Sequence, residues 1–403
     1  MRIALIGPAH PYKGGGARHT TELAHRLAAA GHDVVIESWS RQYPVGHYPG
    51  GQHMVEVAEG EPFPRTRRLL SWRHPAGWVA AGRRLCDMDL VAFALLIPPQ
   101  AIPYLGVLEG LRGARPGRRR DGTSQPRTVV VCHNVLPHER RPADELLTRK
   151  LLRRAGAALT HSAEEAARAR ALVPAVRVTA VSLPPHLPTA ASVYCRGDHA
   201  AANGHAERDV ALRPGRCHLL FFGIVRPYKG LDVLLRALAR APAHVVLTVA
   251  GEFWGKAEKE TRALIDRLGL AGRVTLRPGY VPADQIPGLF AAADALVLPY
   301  RSATSSQNVW LAYAHGVPVI VTRAGTLADQ VRDGADGLVC QPEDEDDLLR
   351  ALVRISAPGE AARLRSAVRA ADPGRYWDAY LEALLSLAAP PAREPPGLEP
   401  MTR

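Results

Sequence analysis

A continuously apolar run that stops at a glycine and passes through a short basic turn into a leucine-rich helix constrains this chain more than any other feature. It reads LLFFGIVRPYKGLDVLLRAL, residues 219–238. Residues 219–222 have no polar face, which suits a strand covered on both sides in a parallel sheet. Gly223 ends the run, and the turn carries Arg226 and Lys229. Leu231, Leu234, Leu235 and Leu238 then recur at i, i+3, i+4 and i+7, one apolar helical face. A buried strand feeding a glycine, two cations and a helix N-terminus suits a diphosphate. Backbone N–H groups and the helix dipole face the anion, and Lys and Arg supply full charge. Taken alone, the segment also reads as an ordinary strand–turn–helix whose cations are solvated.

The same alternation runs through the chain. Strand-like runs fall at 3–7, 33–38, 90–96, 128–132, 157–160 and 176–181, with helical stretches such as 20–30 and 163–171 between them. Residues 184–215 then lose apolar periodicity and gather Pro, Gly, His and Asn, the composition of a linker. A second set follows at 219–222, 245–249, 274–277, 295–298, 317–322 and 338–340, and residues 374–387 form an amphipathic helix. The pattern predicts an α/β protein with two Rossmann-like, doubly wound parallel sheets, with ligands at the carboxyl ends of the strands. The expected units are residues 1–185, a linker at 186–216, a second domain at 217–372, a helix at 373–388 and a tail at 389–403. The tail is proline-rich and expected to be disordered.

Composition narrows the function classes. The chain has 403 residues, long enough for two or three domains, and 47% are hydrophobic. Cys86, Cys132, Cys195, Cys217 and Cys340 are odd in number and form no CxxC pair, so reduced thiols are expected rather than a zinc site or a disulfide framework. The opening MRIALIGPAHPYKGGG lacks a signal-peptide layout, and no apolar run approaches the ~18–20 residues of a membrane span. A soluble, cytoplasmic chain is expected. The net charge of +12 could serve nucleic acid, anionic lipid or a negatively charged small substrate. Nucleic acid is disfavoured, because aromatics are only 6% and no nucleic-acid-binding motif appears. Part of the excess lies in the loop at 112–127, which reads as a mobile surface excursion. Another part lies at 65–85, where Trp72 and Trp78 stand among arginines with Leu69 and Leu70. That mixture suits peripheral contact with an anionic inner membrane face, and it equally suits a solvated amphipathic helix.

The ordered pieces within 219–342 resemble the C-terminal domain of glycosyltransferase family 4, which has the GT-B fold. They are Gly223 with Lys229-Gly230, Ala250-Gly251-Glu252, and Arg273-Val274-Thr275-Leu276 before Gly279. Ala293-Asp294-Ala295 before Leu298-Pro299, Gly316-Val317-Pro318-Val319-Ile320 and Asp336-Gly337-Leu338-Val339 complete the series. The N-terminal RIALIGPAHPYKGGGARHTTELAHRLAAAGHDVVI is similar to how these enzymes open. The resemblance covers nearly the whole chain. It implies retaining transfer of a sugar from a nucleotide diphosphate sugar to an acceptor hydroxyl, without a cofactor or metal. It also implies that the helix at 373–388 crosses back to the N-terminal domain.

Carried over residue by residue, the resemblance makes Gly223, Lys229 and Gly251 donor-binding, gives Lys229 and Arg226 a catalytic role on the charge of the departing diphosphate, and gives His133, at the end of TVVVC, a catalytic place facing the donor sugar. Gly15 and Gly16 lie in a turn that is not the dinucleotide-binding GxGxxG, so no NAD site is implied. They are candidate donor contacts or simply a flexible loop. His138 and Glu139 are acceptor-side candidates or structural loop residues. Two departures stand out. Where the family commonly has Arg after the first glycine, this chain has Ile224, and Arg226 is expected to take over if the strand extends that far. Where the family has paired glutamates, alignment on Ala312-Tyr313-Ala314-His315-Gly316 places Ala303 and Leu311. Thr304, Ser305, Ser306 and Gln307 are then expected to replace the lost donor contacts, with helix capping as the alternative for the serines. A non-catalytic accessory subunit and a nucleotide-sugar 2-epimerase are the other readings of the same fold.

Overall fold

The computed structural model describes residues 1–42, 61–114, 125–186 and 215–389. Most of the loop at 112–127, most of the expected linker, Cys195 and the proline-rich tail lie outside the described residues.

The first domain runs β1 (Arg2–Ile6), α1 (Gly15–Ala29), β2 (Asp33–Arg41), β3 (Thr66–Ser71), α2 (Pro75–Arg84), β4 (Leu90–Leu95), α3 (Ala101–Gly113), β5 (Arg127–Cys132), α4 (Asp144–Ala155), β6 (Ala157–Thr160), α5 (Ala163–Leu172) and β7 (Arg177–Ala180). Among the described residues its strands form one parallel sheet in the order β3-β2-β1-β4-β5-β6-β7. The second runs β8 (Cys217–Phe222), α6 (Leu231–Arg240), β9 (Val245–Gly251), α7 (Ala257–Arg267), β10 (Val274–Pro278), α8 (Ile286–Ala291), β11 (Ala295–Leu298), α9 (Gln307–Ala314), β12 (Val319–Thr322), β13 (Gly337–Cys340), α10 (Glu345–Ile355) and α11 (Glu360–Ala367). Its sheet is also parallel, in the order β10-β9-β8-β11-β12-β13. The winding reverses between β1 and β4 and again between β8 and β11, and such a reversal opens a crevice at the strand ends.

The strands are buried as their sequences demand. Every residue of β4, β6, β11 and β12 is enclosed, as expected for strands covered by helices on both faces. On α6, Leu231, Leu234, Leu235 and Leu238 are all buried. The last helix, α12 (Pro373–Ala388), begins at Asp372, whose carboxylate accepts the Gly374 N–H at 2.9 Å. It follows the second domain in sequence but packs on the first. Trp377, Tyr380, Leu384 and Leu387 share one apolar cluster with Ile3, Leu5, Leu27 and Ile36.

Residues 65–85 are a correction to the sequence reading. They form the edge strand β3 and helix α2 rather than one amphipathic helix. Leu70 and Leu85 are fully buried, and Trp78 Nε1–H donates to the Ser71 carbonyl at 2.7 Å. Arg67 and Arg84 reach the fully buried Glu37 carboxylate at 3.4 and 3.1 Å. These arginines therefore neutralise an enclosed anion, which would be costly unpaired. Leu69 alone in the segment is a large hydrophobic residue that remains broadly exposed. Among the described residues no helix is long and apolar enough to cross a membrane.

Because Trp377 is enclosed against the first sheet, Trp377→Ala should cost about 3–5 kcal/mol of stability. Urea unfolding followed by fluorescence would measure it. A loss under ~1 kcal/mol would mean that α12 is peripheral to the first core.

Candidate functional site

A cavity of about 280 Å³ lies where the strand ends of the two domains face each other. The first domain lines it with Gly15, Gly16, His133, Asn134 and His138. The second contributes Tyr228, Lys229, Tyr300 and residues 303–308, and the connecting segment adds Leu183 and His186.

The second domain's wall is built on the turn after β8. Gly223 has φ 101°, where a side chain is strained. A Cβ there would lie 3.5 Å from Lys229 Nζ and 3.4 Å from Asn308 Nδ2, so glycine keeps the space beside both groups open. Asn308 Nδ2–H donates to the Phe222 carbonyl at 2.9 Å, joining the N-terminus of α9 to the end of β8. Lys229 stands with its ammonium 5.2 Å from the Tyr300 ring centroid. Burial lowers its pKa, Tyr228 opposes that, and Arg226 adds to it. Among the described residues no carboxylate pairs with it. A desolvated ammonium without a counter-ion in a cavity is an anion site in waiting.

Arg226 is placed differently from expectation. Strand β8 ends at Phe222, so side-chain alternation along it does not reach Arg226. Its guanidinium lies over Trp254, 4.4 Å from the ring centroid, and donates to Glu139 of the first domain at 2.6 Å. Neither Arg226 nor Glu139 lines the cavity, and neither do Gly223 and Gly251.

The first domain's wall is the loop after β5. The His133 N–H donates to the Leu95 carbonyl at 3.0 Å, and Val135 N–H donates to the buried Glu165 carboxylate at 2.5 Å. Glu165, near the start of α5, thus holds the loop that carries His133, Asn134 and His138. Burial lowers the His133 pKa to about 4, so its imidazole is neutral near pH 7. Its Nε2 is enclosed without a protein partner among the described residues. Its ring meets those of His19 and His161 edge-on, at 4.9 and 5.1 Å.

The domains are joined across the cleft by polar contacts. Thr304 O–H donates to Asn134 Oδ1 at 2.5 Å, and Ser302 Oγ lies 3.1 Å from His138 Nδ1. His138 stacks on Tyr228 with ring centroids 4.7 Å apart. Lys13, just before the glycine turn, sits 3.7 Å from Glu252 and over the Tyr280 ring. Ser306 Oγ accepts the Asn308 N–H at 3.3 Å and so caps α9. The Gln307 amide is committed to the connecting segment: Nε2–H donates to the Pro184 carbonyl at 3.0 Å and Oε1 accepts the His186 N–H at 2.8 Å. Ser305, whose side chain makes none of these contacts, is therefore freer than Thr304, Ser306 and Gln307 to meet a ligand. Leu311 packs with Ala303 against the apolar cluster around Trp310.

Sequence reasoning missed the histidine cluster. His19 on α1, His161 after β6 and His186 on the connecting segment surround Tyr380 and Trp377 of α12. They are up to 167 residues apart, and no local spacing announces them. Among the described residues no group of His, Cys, Asp and Glu is arranged to hold a metal ion.

Burial, reinforced by neighbouring histidines, lowers the pKa of His19, His161 and His186, with Arg18 also acting on His186. A histidine whose folded pKa is depressed keeps its full stability above its unfolded pKa of ~6.5 and loses it as pH falls towards the folded value. The melting temperature should therefore drop steadily between pH 7 and pH 5. A flat profile over that window would mean that these rings are hydrated in solution.

Residues 216–357 match the family model described as "Glycosyl transferases group 1". The D-inositol 3-phosphate glycosyltransferase of Segniliparus rotundus is 31% identical over 196 residues, 47% of this chain and 42% of that protein. The chain thus spans less than half the length of the curated relatives it matches first. Among solved structures, Anabaena HepE in complex with UDP and glucose superposes with a TM-score of 0.70 at 16% identity, covering 96% of this chain and 100% of that one. The catalytic domain of starch synthase IV from Arabidopsis thaliana, bound to ADP and acarbose, gives 0.66 at 16% identity, covering 96% and 99%. The chain has the GT-B fold, and its second domain carries the sequence pattern of group 1 glycosyl transferases.

Proposed function

We propose that this protein is a retaining glycosyltransferase of family 4 that moves a sugar from a nucleotide diphosphate sugar to an acceptor hydroxyl, without a metal. The observation that carries the proposal is the Lys229 ammonium, which among the described residues has no carboxylate paired with it and lines the same cavity as the neutral His133. The match of residues 216–357 supports the reaction class, and the UDP and ADP in similar folds support a nucleoside diphosphate as the leaving group.

On this reading the bond from the sugar carbon to the diphosphate oxygen breaks as the acceptor hydroxyl approaches the same face. The new carbon–oxygen bond forms there, and the hydroxyl proton passes to the departing diphosphate. Charge grows on the leaving group, so Lys229 binds the transition state more strongly than the ground state. The neutral His133 imidazole adds no positive charge beside the electron-poor sugar carbon. Arg226 closes the cleft through Glu139, and closure excludes water that would hydrolyse the donor. Buried free thiols at Cys132, Cys217 and Cys340 fit a reducing cytoplasm. Peripheral membrane contact has little left to carry it at 65–85, since Leu70, Trp78 and Leu85 pack into the first domain.

Lys229→Ala should lower turnover at least tenfold while leaving the melting temperature near that of the parent. A hydrogen bond to a charged group is worth about 1.5–3 kcal/mol, which corresponds to that loss. Transfer assayed in EDTA measures it and tests metal independence together. An unaltered rate in a folded variant would remove the diphosphate from this site.

The two serines should separate. Ser305→Ala should raise the donor KM roughly two- to tenfold, the value of one neutral hydrogen bond, without changing stability. Ser306→Ala should instead cost about 1 kcal/mol of stability through the lost cap. Steady-state kinetics and thermal unfolding of both variants decide it. The reverse pattern would put the ligand on Ser306.

A further inference from the structure

The Lys229 ammonium is carried by a single 3-10 turn, Pro227–Lys229, between the end of β8 and the start of α6. Burial makes the charged form costly there, so the side chain gains by swinging out to water unless the turn is held. Within the turn, Lys229 N–H donates to the Arg226 carbonyl at 3.0 Å and Gly230 N–H donates to the Pro227 carbonyl at 3.2 Å. Gly230 leaves the turn at φ 66°, and a Cβ there would lie 2.0 Å from the Pro299 carbonyl oxygen. The turn therefore rests directly on the segment that follows β11.

Arg301, on that segment, holds the turn from below. Its backbone N–H donates to the Tyr228 carbonyl at 2.8 Å, and its Nη1–H donates to the Pro227 carbonyl at 2.6 Å. Nη1 and Nη2 also donate to the two oxygens of Asp232, both at 2.8 Å, the planar fork in which a guanidinium matches a carboxylate. Nε–H donates to Glu343 at 2.9 Å. Asp232 lies in the first turn of α6, so one side chain ties the 3-10 turn to the helix that follows it. The two carboxylates answer the charge of Arg301, and Arg301 does not line the cavity. It is therefore no ligand of an anion held there. Its neighbour Tyr300 does line the cavity, with its ring centroid 5.2 Å from the Lys229 ammonium. Thr322 O–H donates to the Tyr300 carbonyl at 2.5 Å, which anchors this segment to the end of β12.

We infer that Arg301 is a positioning residue for the donor diphosphate, fixing the turn at Pro227–Lys229 so that the Lys229 ammonium is presented to the cavity rather than to solvent. The inference rests on the sugar-nucleotide reading above. Lys229 is the contact, and Arg301 acts through it while Asp232 and Glu343 hold the guanidinium. Because Arg301 is already neutralised, it sets the turn without competing for the anion. A cation fixed in advance needs no reorganisation when charge grows on the leaving group. A lysine at 301 could reach one of these acceptors but could not join the Pro227 carbonyl to both oxygens of Asp232.

A double-mutant cycle on the full chain separates positioning from stability. Calorimetry with UDP, GDP, ADP and dTDP selects the diphosphate that binds the parent best, and thermal unfolding identifies the folded variants. Arg301→Met should weaken that diphosphate roughly three- to tenfold, a share of the charged hydrogen bond that Lys229 makes. In a Lys229→Ala background the same change should cost less than about twofold, because the cation it positions is gone. Arg301→Lys should behave like Arg301→Met and not rescue binding. A role in stability alone would lower the melting temperature and leave the affinity of the folded protein as it was. That result overturns the inference, as does an equal loss in the two backgrounds. Asp232→Asn keeps the shape of the partner and removes its charge. It should show a smaller loss with the same dependence on Lys229, and its cycle decides the matter if Arg301→Met fails to fold. If no diphosphate binds the parent, or if Lys229→Ala binds as the parent does, the functional reading fails and the positioning role falls with it.

Discussion

Parallel pairing in both sheets makes every strand end on the same edge, and the chain must cross back, usually through a helix, before the next strand can begin. All turns that leave strand ends therefore gather on one rim of each domain. The winding reverses at β1/β4 in one sheet and at β8/β11 in the other, and the chain puts its glycine-bearing turns there. The Gly14–Gly16 turn faces the cleft from one side, and the turn from Gly223 to Lys229 faces it from the other. Strand burial, helix placement and the site follow from that single arrangement.

Charge is then distributed with some economy. Many of the arginines pair with carboxylates three or four residues away on exposed helix faces, as Arg262 does with Glu258 and Arg350 with Asp347. Such pairs are worth little and are screened by salt. The cleft is different. Glu139 takes up Arg226 at its margin, while Lys13 and Glu252 pair with at most a tenth of either side chain exposed. Among the described residues, Lys229 is the cation left uncompensated at the cavity. An anion entering there meets a positive charge whose solvation has already been removed, beside imidazoles that burial keeps neutral.

Much of the fold was legible because buried parallel strands announce themselves as short apolar runs. The runs at 90–96, 219–222 and 295–298 match β4, β8 and β11 to within two residues at either end. β3 was not legible. As an edge strand with three exposed residues in succession it shows no alternation, and the partner that explains Arg67 lies thirty residues away on β2. At the cleft, His133, His138 and Lys229 could be found because each sits on the loop that follows a readable strand. Tyr380, His19 and His186 could not, since their relation exists only after α12 has folded back. Arg226 was expected at the diphosphate on a strand geometry that ends four residues too early, and the structure sets it on Glu139 and Trp254, off the cavity lining.

Helix α12 has a consequence for how the protein is made. The first domain's core is not complete in the first half of the chain, because Trp377 and Tyr380 belong to it. During synthesis the second domain must leave the ribosome in between. At roughly 5–20 residues per second, the first sheet waits on the order of 10–40 s for its last helix. Throughout that interval the apolar surface of Ile3, Leu5 and Ile36 and the ring of His19 lack their cover. The first domain thus keeps an incomplete core until residues 373–388 have been made, and the second domain is free to finish before the domain that precedes it.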